Sequence, residues 1–587
     1  MTYRTSHAAD IGAGRVGETV TVAGWVDARR DHGGIVFVDL RDASGIVQVV
    51  FDPSELSGTR DLRSEFCISA TGVVRERPAG TVNPELPTGD VEVEASSLEV
   101  LSPSEVLPFQ IEDRIEVDER IRLKHRYLDL RRPKMAANLR ARARAIAVMR
   151  RVMDELGFLE VETPTLIAST PEGARDFVVP SRHQKGSFYA LPQSPQLFKQ
   201  LLMVGGVERY YQVAKCYRDE DFRSDRQVEF AQLDFEGSFW DRDDVLDVLE
   251  QIVVEVSRAV RGEELETPFP RLTWQEAMDR YGSDKPDIRF GMEIVDLSVV
   301  FADSAFRAFA GALESGGVVR GLNAGPTEST RSRMDALTDR AKELGAKGLV
   351  WMVVEEDGSL RSPVAKFLSS NELDGVAAAL SGGPGDVLLL AADEWRTVAD
   401  VLGQLRLELG RPAGHETLAP LFVIDFPTFE PTEDGGLAPS HHPFTAPVDV
   451  EQMATDPASS ISKAYDLVLN GSELGSGSVR IHDPEVQATV FEVLGIASEQ
   501  AERRFGWFLE GLRYGTPPHA GFAIGIDRFV AILQGEPNIR QIIPFPKTQT
   551  GADPLTGSPT PIEAGQLAEL GIRLRPEVEK ALEERDD

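Results

Sequence analysis

The sequence predicts a multidomain α+β protein: an N-terminal β-barrel, a domain built on an antiparallel sheet, and a further α+β domain inserted into it. Three observations indicate this architecture. The 587 residues are more than one hydrophobic core usually organises. Apolar and polar residues alternate in short runs near the N-terminus and again in two later blocks. A stretch rich in alanine and glycine separates those two blocks.

Composition excludes several classes of protein. The 62 Lys+Arg against 95 Asp+Glu give a net charge of −33, which excludes a protein that coats nucleic acid by charge alone. No apolar run approaches the roughly 18 residues of a membrane span, and the N-terminus lacks the apolar stretch of a secretory signal. We therefore expect a cytoplasmic protein without a membrane segment. The only two cysteines, Cys67 and Cys216, lie far apart, so any metal must be held by oxygen ligands.

The first domain is predicted from residues 1–108. Between Glu18 and about Leu101 the runs TVTVAGWV, IVFVDLRD, IVQVVF, FCISATGVV and VEVEASSLEV are separated by turn-forming residues. Five strands without a strong helical pattern favour an OB-fold, whose open face binds single-stranded nucleic acid. An ordinary structural β-domain is the alternative.

A basic segment follows. Arg114 to Arg151 holds thirteen Lys or Arg and four acidic residues, a net charge of +9, and we assign residues 109–135 to a basic hinge or linker. The segment could contact phosphates. Equally, the arginines of LRARARAIAVMRRVMDEL could be the solvated face of a helix.

The runs between Phe158 and Trp240 and between Leu421 and Ile543 combine strand patterns with many charged residues. Because a buried charge is costly unless paired, they predict an antiparallel sheet with one functional face. The domain boundaries that follow are 136–286 and 417–552 for the sheet domain, 287–416 for the insertion, and 553–587 for a C-terminal extension.

Three separated segments carry motif-like patterns. They are Gly157 to Pro164 (GFLEVETP), Tyr217-Arg218-Asp219-Glu220, and Gly521 to Arg528 (GFAIGIDR). Each is weak alone. In this order, after an OB-like domain, they resemble motifs 1, 2 and 3 of the class II aminoacyl-tRNA synthetases.

The detailed similarity is to the bacterial aspartyl-tRNA synthetases and extends over nearly the whole chain. It includes RRDHGGIVFVDLRD, STPEGARDF, QSPQLFKQLLM, YRDEDFRSDRQVEFAQLDFE, HHPFT and NGSELGSGSVRIH. The resemblance implies that residues 1–108 bind the anticodon, that the sheet is a class II catalytic domain, and that the insertion is a GAD domain.

The implied reaction joins L-aspartate to ATP, giving aspartyl adenylate and pyrophosphate, and then transfers the aspartyl group to the 3′ end of tRNA(Asp). In-line attack on the α-phosphate needs positive charge and fixed geometry rather than covalent help. The resemblance assigns this catalytic role to Arg218 and Arg528. It assigns ATP binding to Arg218, Asp219, Glu220, Gln227, Phe230, Glu473, Gly525, Ile526, Asp527 and Arg528.

Asp466 and Glu473 flank a predicted Asn470-Gly471 hairpin turn. Oxygen ligands favour Mg²⁺, although two acids near a turn are more often solvated surface charge. The resemblance implies that this pair holds the Mg²⁺ of Mg-ATP.

Recognition of aspartate requires cations for its β-carboxylate and an anionic or carbonyl group for its ammonium. Lys199 and Arg480 are suited to the first task, and Glu172 and Asp234 to the second. By resemblance Glu172 lies in a loop that closes over the amino acid. The implied aspartate-binding residues are Glu172, Ser194, Gln196, Lys199, Arg218, Asp234, His441, His442 and Arg480, with the contacting histidine of the pair left open. The same two cations argue against asparaginyl- and lysyl-tRNA synthetases, which share the OB-fold and the three motifs.

The anticodon-reading positions implied by resemblance are Arg30, His32, Phe37 and Gln48. A plain core aromatic is the alternative for Phe37. Enzymes of this family that charge only tRNA(Asp) commonly have leucine where His32 stands, so His32 predicts a non-discriminating enzyme that also charges tRNA(Asn). Such an enzyme requires a partner amidotransferase for Asp-tRNA(Asn). A strictly tRNA(Asp)-specific synthetase and a non-charging nucleic-acid-binding paralogue are the alternatives.

Motif 1 forms the two-fold interface in this class, so we also predict a homodimer.

Overall fold

The computed structural model describes residues 3–114, 116–170, 175–220, 225–412, 414–432 and 434–586. The chain divides into two compact units, Met1–Ala136 and Ala137–Asp587. The described part of the chain contains no helix with the length and hydropathy needed to cross a membrane.

The first unit contains a closed β-barrel with the strand order β1-β2-β3-β5-β4. The pairing of β3 with β5 is parallel, and the other neighbours run antiparallel. The strands are β1 (Thr19–His32), β2 (Ile35–Arg41), β3 (Ile46–Phe51), β4 (Cys67–Glu76) and β5 (Val91–Ser102). Short 3₁₀ helices lie at Ala8–Asp10, Ala13–Arg15 and Thr59–Asp61.

The alternation in the sequence explains the barrel core. On β2, Val36, Val38 and Leu40 are buried in the core, whereas Phe37 between them is only half-buried and faces the other side. The prediction of an N-terminal OB-like barrel is confirmed.

Helices α1 (Glu119–Lys124) and α2 (Arg126–Asp129) follow the barrel. Much of the positive charge of this segment is paired within the protein. Arg126 and Arg132 bind the fully buried Asp129 at 2.6 and 3.0 Å, and Arg131 binds Glu65 at 2.8 Å. These three arginines therefore have structural roles, which neither interpretation of the basic segment anticipated.

The next elements, in chain order, are α3 (Pro133–Glu155), β6 (Leu159–Glu160), β7 (Val178–Pro180), β8 (Phe188–Ala190), α4 (Gln196–Val204), β9 (Arg209–Tyr217), β10 (Glu229–Ser238), α5 (Arg242–Arg261), β11 (Arg271–Thr273) and α6 (Trp274–Tyr281).

The inserted region then contributes β12 (Val295–Asp296), α7 (Arg307–Glu314), β13 (Val318–Pro326), α8 (Arg331–Glu343), β14 (Val350–Val354), β15 (Leu360–Arg361), a 3₁₀ turn (Ala365–Phe367), α9 (Ser370–Ala379), β16 (Asp386–Asp393) and α10 (Trp395–Gly410). Its strands form their own antiparallel sheet in the order β12-β13-β16-β14-β15. Two separate apolar clusters cover this sheet, one with α8 and α10 and one with α7 and α9.

The remaining elements are β17 (Pro420–Ile424), β18 (Phe429–Pro431), β19 (Leu437–Pro439), α11 (Val450–Thr455), 3₁₀ helix Pro457–Ser459, β20 (Ala464–Leu469), β21 (Ser472–Val479), α12 (Pro484–Val493), α13 (Ser498–Leu512), β22 (His519–Gly525), α14 (Ile526–Leu533), 3₁₀ helix Ile539–Gln541, α15 (Ala564–Leu570) and α16 (Pro576–Asp586).

The main sheet of the second unit has the order β11-β17-β20-β21-β22-β10-β9-β6. Its central pairs are antiparallel, and β11 and β6 pair in parallel at the two ends. Helices α3, α5 and α14 pack on one face and bury the apolar core. On β10 the core receives Leu233 and Phe235, so the alternate residues Gln232, Asp234 and Glu236 lie on the opposite, polar face.

Candidate active site

Two adjoining cavities open on the polar face of the main sheet, with volumes of about 350 and 240 Å³. Both are lined by Arg218, Glu220 and Glu473. Molecules bound in the two cavities would therefore meet at these three side chains.

A cluster of four buried charges lies beside the larger cavity, which is lined by three of them, Lys199, Asp234 and Arg480. Lys199 Nζ lies 2.7 Å from Asp234 Oδ2 and 3.3 Å from Glu236 Oε2. Arg480 Nε donates to Glu236 Oε1 at 2.9 Å. None of the four is more than 2% exposed. Because each charge has an oppositely charged neighbour, the cluster tolerates a burial that would be prohibitive for one charge alone.

The two carboxyl groups of the cluster differ in their affinity for protons. Burial raises the pKa of Asp234 to about 6, despite the nearby Lys199. Burial acts on Glu236 too, but Arg480 and Lys199 outweigh it and hold the pKa of Glu236 below its ordinary value. Glu236 therefore remains ionised and fixes the two cations in place, since it contacts both.

Glycine 521 of the third motif makes room for this arrangement. Strand β22 pairs Gly521 directly with Glu236 on β10. A Cβ atom at position 521 would lie 1.9 Å from Glu236 Oε2. Any side chain there would displace the carboxylate that orients Arg480.

The two adjacent histidines have different partners. His442 Nε2 lies 2.7 Å from Arg480 Nη1, and burial together with Arg480 lowers the pKa of His442 well below its usual value. The neutral ring therefore accepts a hydrogen bond from Arg480. His441 Nε2 lies 3.1 Å from Asp466 Oδ1; burial opposes its charged form, but Asp466 raises the pKa of His441.

Asp466 and Glu473 lie on the two strands of the β20–β21 hairpin, and the turn has positive φ at Asn470 (52°) and Gly471 (76°). Burial, followed by the repulsion of Glu473, raises the pKa of Asp466 to about 6. A divalent cation between the carboxylates would relieve this repulsion, so the pair fits Mg²⁺. No group of three or more His, Cys, Asp or Glu among the described residues is arranged to hold a metal. The remaining ligands would thus come from phosphate and water, as Mg²⁺ prefers.

The smaller cavity presents two arginines. The Arg218 guanidinium lies 5.2 Å from the centroid of the Phe230 ring, and Arg528 Nη2 lies 3.2 Å from Asp225 Oδ2. In the described structure, the buried Nε atoms of both arginines have no hydrogen-bond partner. Unpaired cationic donors beside an open cavity are suited to an anionic ligand.

Most of the predicted residues line these cavities. The larger cavity contains the predicted aspartate-binding residues Ser194, Gln196, Lys199, Arg218, Asp234, His441, His442 and Arg480. The smaller contains the predicted ATP-binding residues Arg218, Glu220, Gln227, Phe230, Glu473, Gly525, Asp527 and Arg528. Glu172 lies outside the described residues.

Two predicted ATP-binding residues, Asp219 and Ile526, do not line either cavity, and a third, Asp527, lines the smaller cavity with a carboxylate that is already hydrogen-bonded within the protein. Ile526 belongs to the apolar core behind the sheet, and Asp219 forms an isolated backbone bridge with Arg175. The Asp527 carboxylate accepts from Arg142 Nε at 2.8 Å and from Ala231 N at 3.0 Å. Asp527 thus ties α14 to helix α3 and strand β10 rather than offering free oxygens to the cavity.

Glu236 was missed by the sequence analysis. The sequence did contain a signal for Glu236, because it follows Asp234 by two residues on a predicted strand, and residues so spaced lie on the same face of a sheet. Ser478, whose Oγ accepts from Arg480 Nη1 at 2.7 Å, gave no such signal.

The predicted anticodon residues come together on the outer face of the barrel. His32 and Phe37 form an edge-to-face ring contact with centroids 6.3 Å apart. Arg30 Nη2 donates to Gln48 Oε1 at 3.3 Å, and Gln48 Nε2 donates to the buried Glu92 at 2.7 Å. The plain core role for Phe37 is wrong, because neighbouring Val36 and Val38 fill the core instead.

Comparison with known proteins gives consistent results. Residues 118–549 match the family of tRNA synthetases class II (D, K and N), and residues 20–101 match the OB-fold nucleic acid binding domain of the tRNA anti-codon type. The first match covers more than half of the chain.

Curated relatives are similar over almost their full length. The chain is 50% identical to an Aspartate--tRNA(Asp/Asn) ligase of Syntrophomonas wolfei, covering 97% of this chain and 99% of the relative. It is 51% identical to the ligase of that name from Thermobifida fusca, covering 98% and 99%. Among solved structures, asparaginyl-tRNA synthetase from Pyrococcus horikoshii complexed with asparaginyl-adenylate has a TM-score of 0.59 at 20% identity, covering 92% of this chain and 98% of that one. At this identity the structural similarity concerns the fold alone.

Proposed function

Because this chain belongs to the class II tRNA synthetases of the D, K and N group and, within it, to the family of the aspartate-tRNA(Asp/Asn) ligases, we propose that it charges both tRNA(Asp) and tRNA(Asn) with L-aspartate. The chain is a class II aminoacyl-tRNA ligase, which implies that it uses ATP. The observation that carries the choice of amino acid is the buried cluster of Lys199, Asp234, Glu236 and Arg480.

In this proposal the larger cavity binds aspartate. Lys199 and Arg480 receive the β-carboxylate, and Asp234 with Glu172 receives the ammonium group. Asparagine would lose two charge-assisted contacts of about 1.5–3 kcal/mol each, because its neutral amide cannot replace the carboxylate at Lys199 and Arg480. Rejection of asparagine would therefore need no editing step.

The smaller cavity would bind ATP, with adenine against Phe230 and the triphosphate between Arg218 and Arg528. A carboxylate oxygen of aspartate attacks the α-phosphorus, the bond to the bridging oxygen of the β-phosphate breaks, and pyrophosphate leaves with the bond electrons. Arg218 lines both cavities, so it can hold the carboxylate and the α-phosphate together as negative charge accumulates.

We further propose that Asp466 and Glu473 hold Mg²⁺, which would neutralise phosphate charge when bound. His441 would orient Asp466 through the 3.1 Å contact between them. The tRNA 3′-hydroxyl then attacks the acyl carbon of the adenylate, AMP leaves, and the ester is formed.

The barrel would read the anticodon. Phe37 offers a half-exposed ring for stacking, and Arg30 and Glu92 fix the amide orientation of Gln48 for reading a base edge. Support for charging of tRNA(Asn) comes from His32 and from the names of the relatives. The enzyme would then act in the cytoplasm beside an amidotransferase that converts Asp-tRNA(Asn).

The test of this function is aminoacylation with labelled L-aspartate on separately transcribed tRNA(Asp) and tRNA(Asn). We expect comparable charging of both. Charging of tRNA(Asp) alone would indicate the strictly specific enzyme. ATP–pyrophosphate exchange without charging of either tRNA would indicate a paralogue that makes the adenylate for another acceptor.

Replacement of His32 by leucine is expected to weaken charging of tRNA(Asn) selectively, because the ring contact with Phe37 at the base-reading face is lost. The measurement is the ratio of kcat/KM for the two tRNAs. His7→Leu is a suitable control, since His7 lies in the barrel unit next to Asp42 and away from Phe37. An unchanged ratio would remove His32 from the specificity argument.

We also propose a homodimer. Strand β6, in the motif 1 segment, is one of the two edge strands of the main sheet, and its Leu159 is 57% exposed. An unpaired edge with an exposed leucine favours pairing with a second copy. Light scattering at micromolar concentration should give twice the 64.4 kDa chain mass; a monomer mass would contradict the proposal.

A further inference from the structure

The turn of the β20–β21 hairpin is buried by the two ends of the inserted region. Asn470 is 0% exposed although it forms the tip of a hairpin. Its side-chain oxygen accepts from Ala419 N at 2.9 Å, and its amide donates to Thr417 O at 2.8 Å. The segment returning from the insertion thus satisfies the polar groups of the turn.

Arg411, just beyond α10, contacts both the turn and the start of the insertion. Its Nη2 donates to Asn470 O at 2.8 Å, and its Nε lies 3.3 Å from Asp287 Oδ2. Asp287 is fully buried, and Arg289 binds it at 2.6 Å. Arg289 in turn donates to Gly414 O at 2.7 Å. These contacts fasten the entering and leaving chains to each other.

Little free space separates this clamp, formed by Asp287, Arg289 and Arg411, from the turn. A Cβ atom at Gly471 would lie 3.0 Å from Asp287 Cβ and 3.3 Å from Arg411 Nη2. A side chain at position 471 would therefore press on the clamp, and movement of the turn away from the clamp would break the Arg411 bond.

We propose that Asp287 and Arg411 are positioning residues for Asp466 and Glu473, which the same hairpin carries. The proposal rests on the proposed function, in which that carboxylate pair holds the divalent cation of ATP. In a short hairpin the turn fixes the register of the two strands. By holding the turn, the ends of the inserted domain set the separation of the two carboxylates and link that domain to the affinity for the metal–nucleotide complex.

The experiment measures ATP binding to the full-length protein by calorimetry, without aspartate, in excess Mg²⁺ and again in EDTA. Loss of a contact that orients metal ligands typically costs about 10–100-fold in metal affinity. We therefore expect Arg411→Ala to raise the Kd of Mg-ATP about tenfold and to leave the Kd of metal-free ATP unchanged. Mn²⁺ titration followed by EPR should show the same loss.

Arg340→Ala is the matched control. Arg340 is in the same inserted domain and pairs with Glu408 at 2.8 Å, but it does not contact the turn. It should bind Mg-ATP as the wild type does. If Arg411→Ala reduces stability, Arg411→Lys is the second variant. It keeps the charge but has no guanidinium group, whose Nη2 contacts Asn470 while its Nε contacts Asp287, and it should weaken Mg-ATP binding in the same direction.

Two results would overturn the proposal: wild-type Mg-ATP affinity in folded Arg411→Ala, or equal weakening with and without the metal. A failure of the proposed function is recognised separately. In that case the wild type itself would lack aspartate-dependent pyrophosphate exchange, while the comparison of Mg²⁺ and EDTA would still decide the role of Arg411.

Discussion

Replacement of Lys199 by alanine is expected to abolish aspartate activation while ATP binding persists. The ammonium group of Lys199 forms an ion pair with Asp234, and Lys199 lines the cavity proposed for aspartate. Its loss removes a charge-assisted contact of about 1.5–3 kcal/mol and leaves Asp234 buried without its cationic partner. The lost contact alone should lower kcat/KM for aspartate by about 10–10²-fold, and the loss of the cation that holds Asp234 should lower it further.

The measurement is aspartate-dependent ATP–pyrophosphate exchange, with ATP binding followed by calorimetry. Lys199→Met keeps the apolar stem and separates loss of charge from loss of packing. Lys347→Ala provides the control, because Lys347 is 82% exposed, pairs with Asp393 and lines neither cavity. Arg480→Ala should behave as Lys199→Ala does. Normal exchange in either variant would disprove the assignment of the pocket.

Replacement of Arg218 by alanine is expected to lower kcat for adenylate formation by about 10²–10³-fold, the usual effect of removing one preorganised donor to a developing negative charge. Arg218 lines both cavities, and its Nε has no hydrogen-bond partner in the described structure. Its removal should therefore affect catalysis much more than folding. Arg218→Lys should not rescue the rate, because an ammonium cannot reproduce the planar two-pronged contact.

Single-turnover adenylate formation, with the melting temperature measured beside it, tests this prediction. Arg271→Ala is a control on the same sheet, since Arg271 pairs with Asp243 and lines neither cavity. A rate close to that of the wild type in Arg218→Ala would transfer the phosphate-binding role to other residues.

The alternation of residue types was enough to predict the barrel and the polar face of the main sheet. On β10 the sequence QLDFE shows the pattern directly, since apolar Leu233 and Phe235 enter the core and the residues between them do not. The family resemblance implied most of the residues that line the two cavities. It could not show that Asp527, which lines the smaller cavity, has its carboxylate bound to Arg142 and Ala231.

The sequence by itself determined the order of the domains, the strands and the types of charge that meet at the site, because periodicity and motif order are local properties of the chain. Only the tertiary structure decided the partners. In the folded chain His442 contacts Arg480 and His441 contacts Asp466. Arg411 contacts both Asp287 and the turn at Asn470. These contacts join residues that are distant in sequence. Burial decides whether a charged group needs a partner and how far its pKa shifts, and burial exists only once the chain has folded.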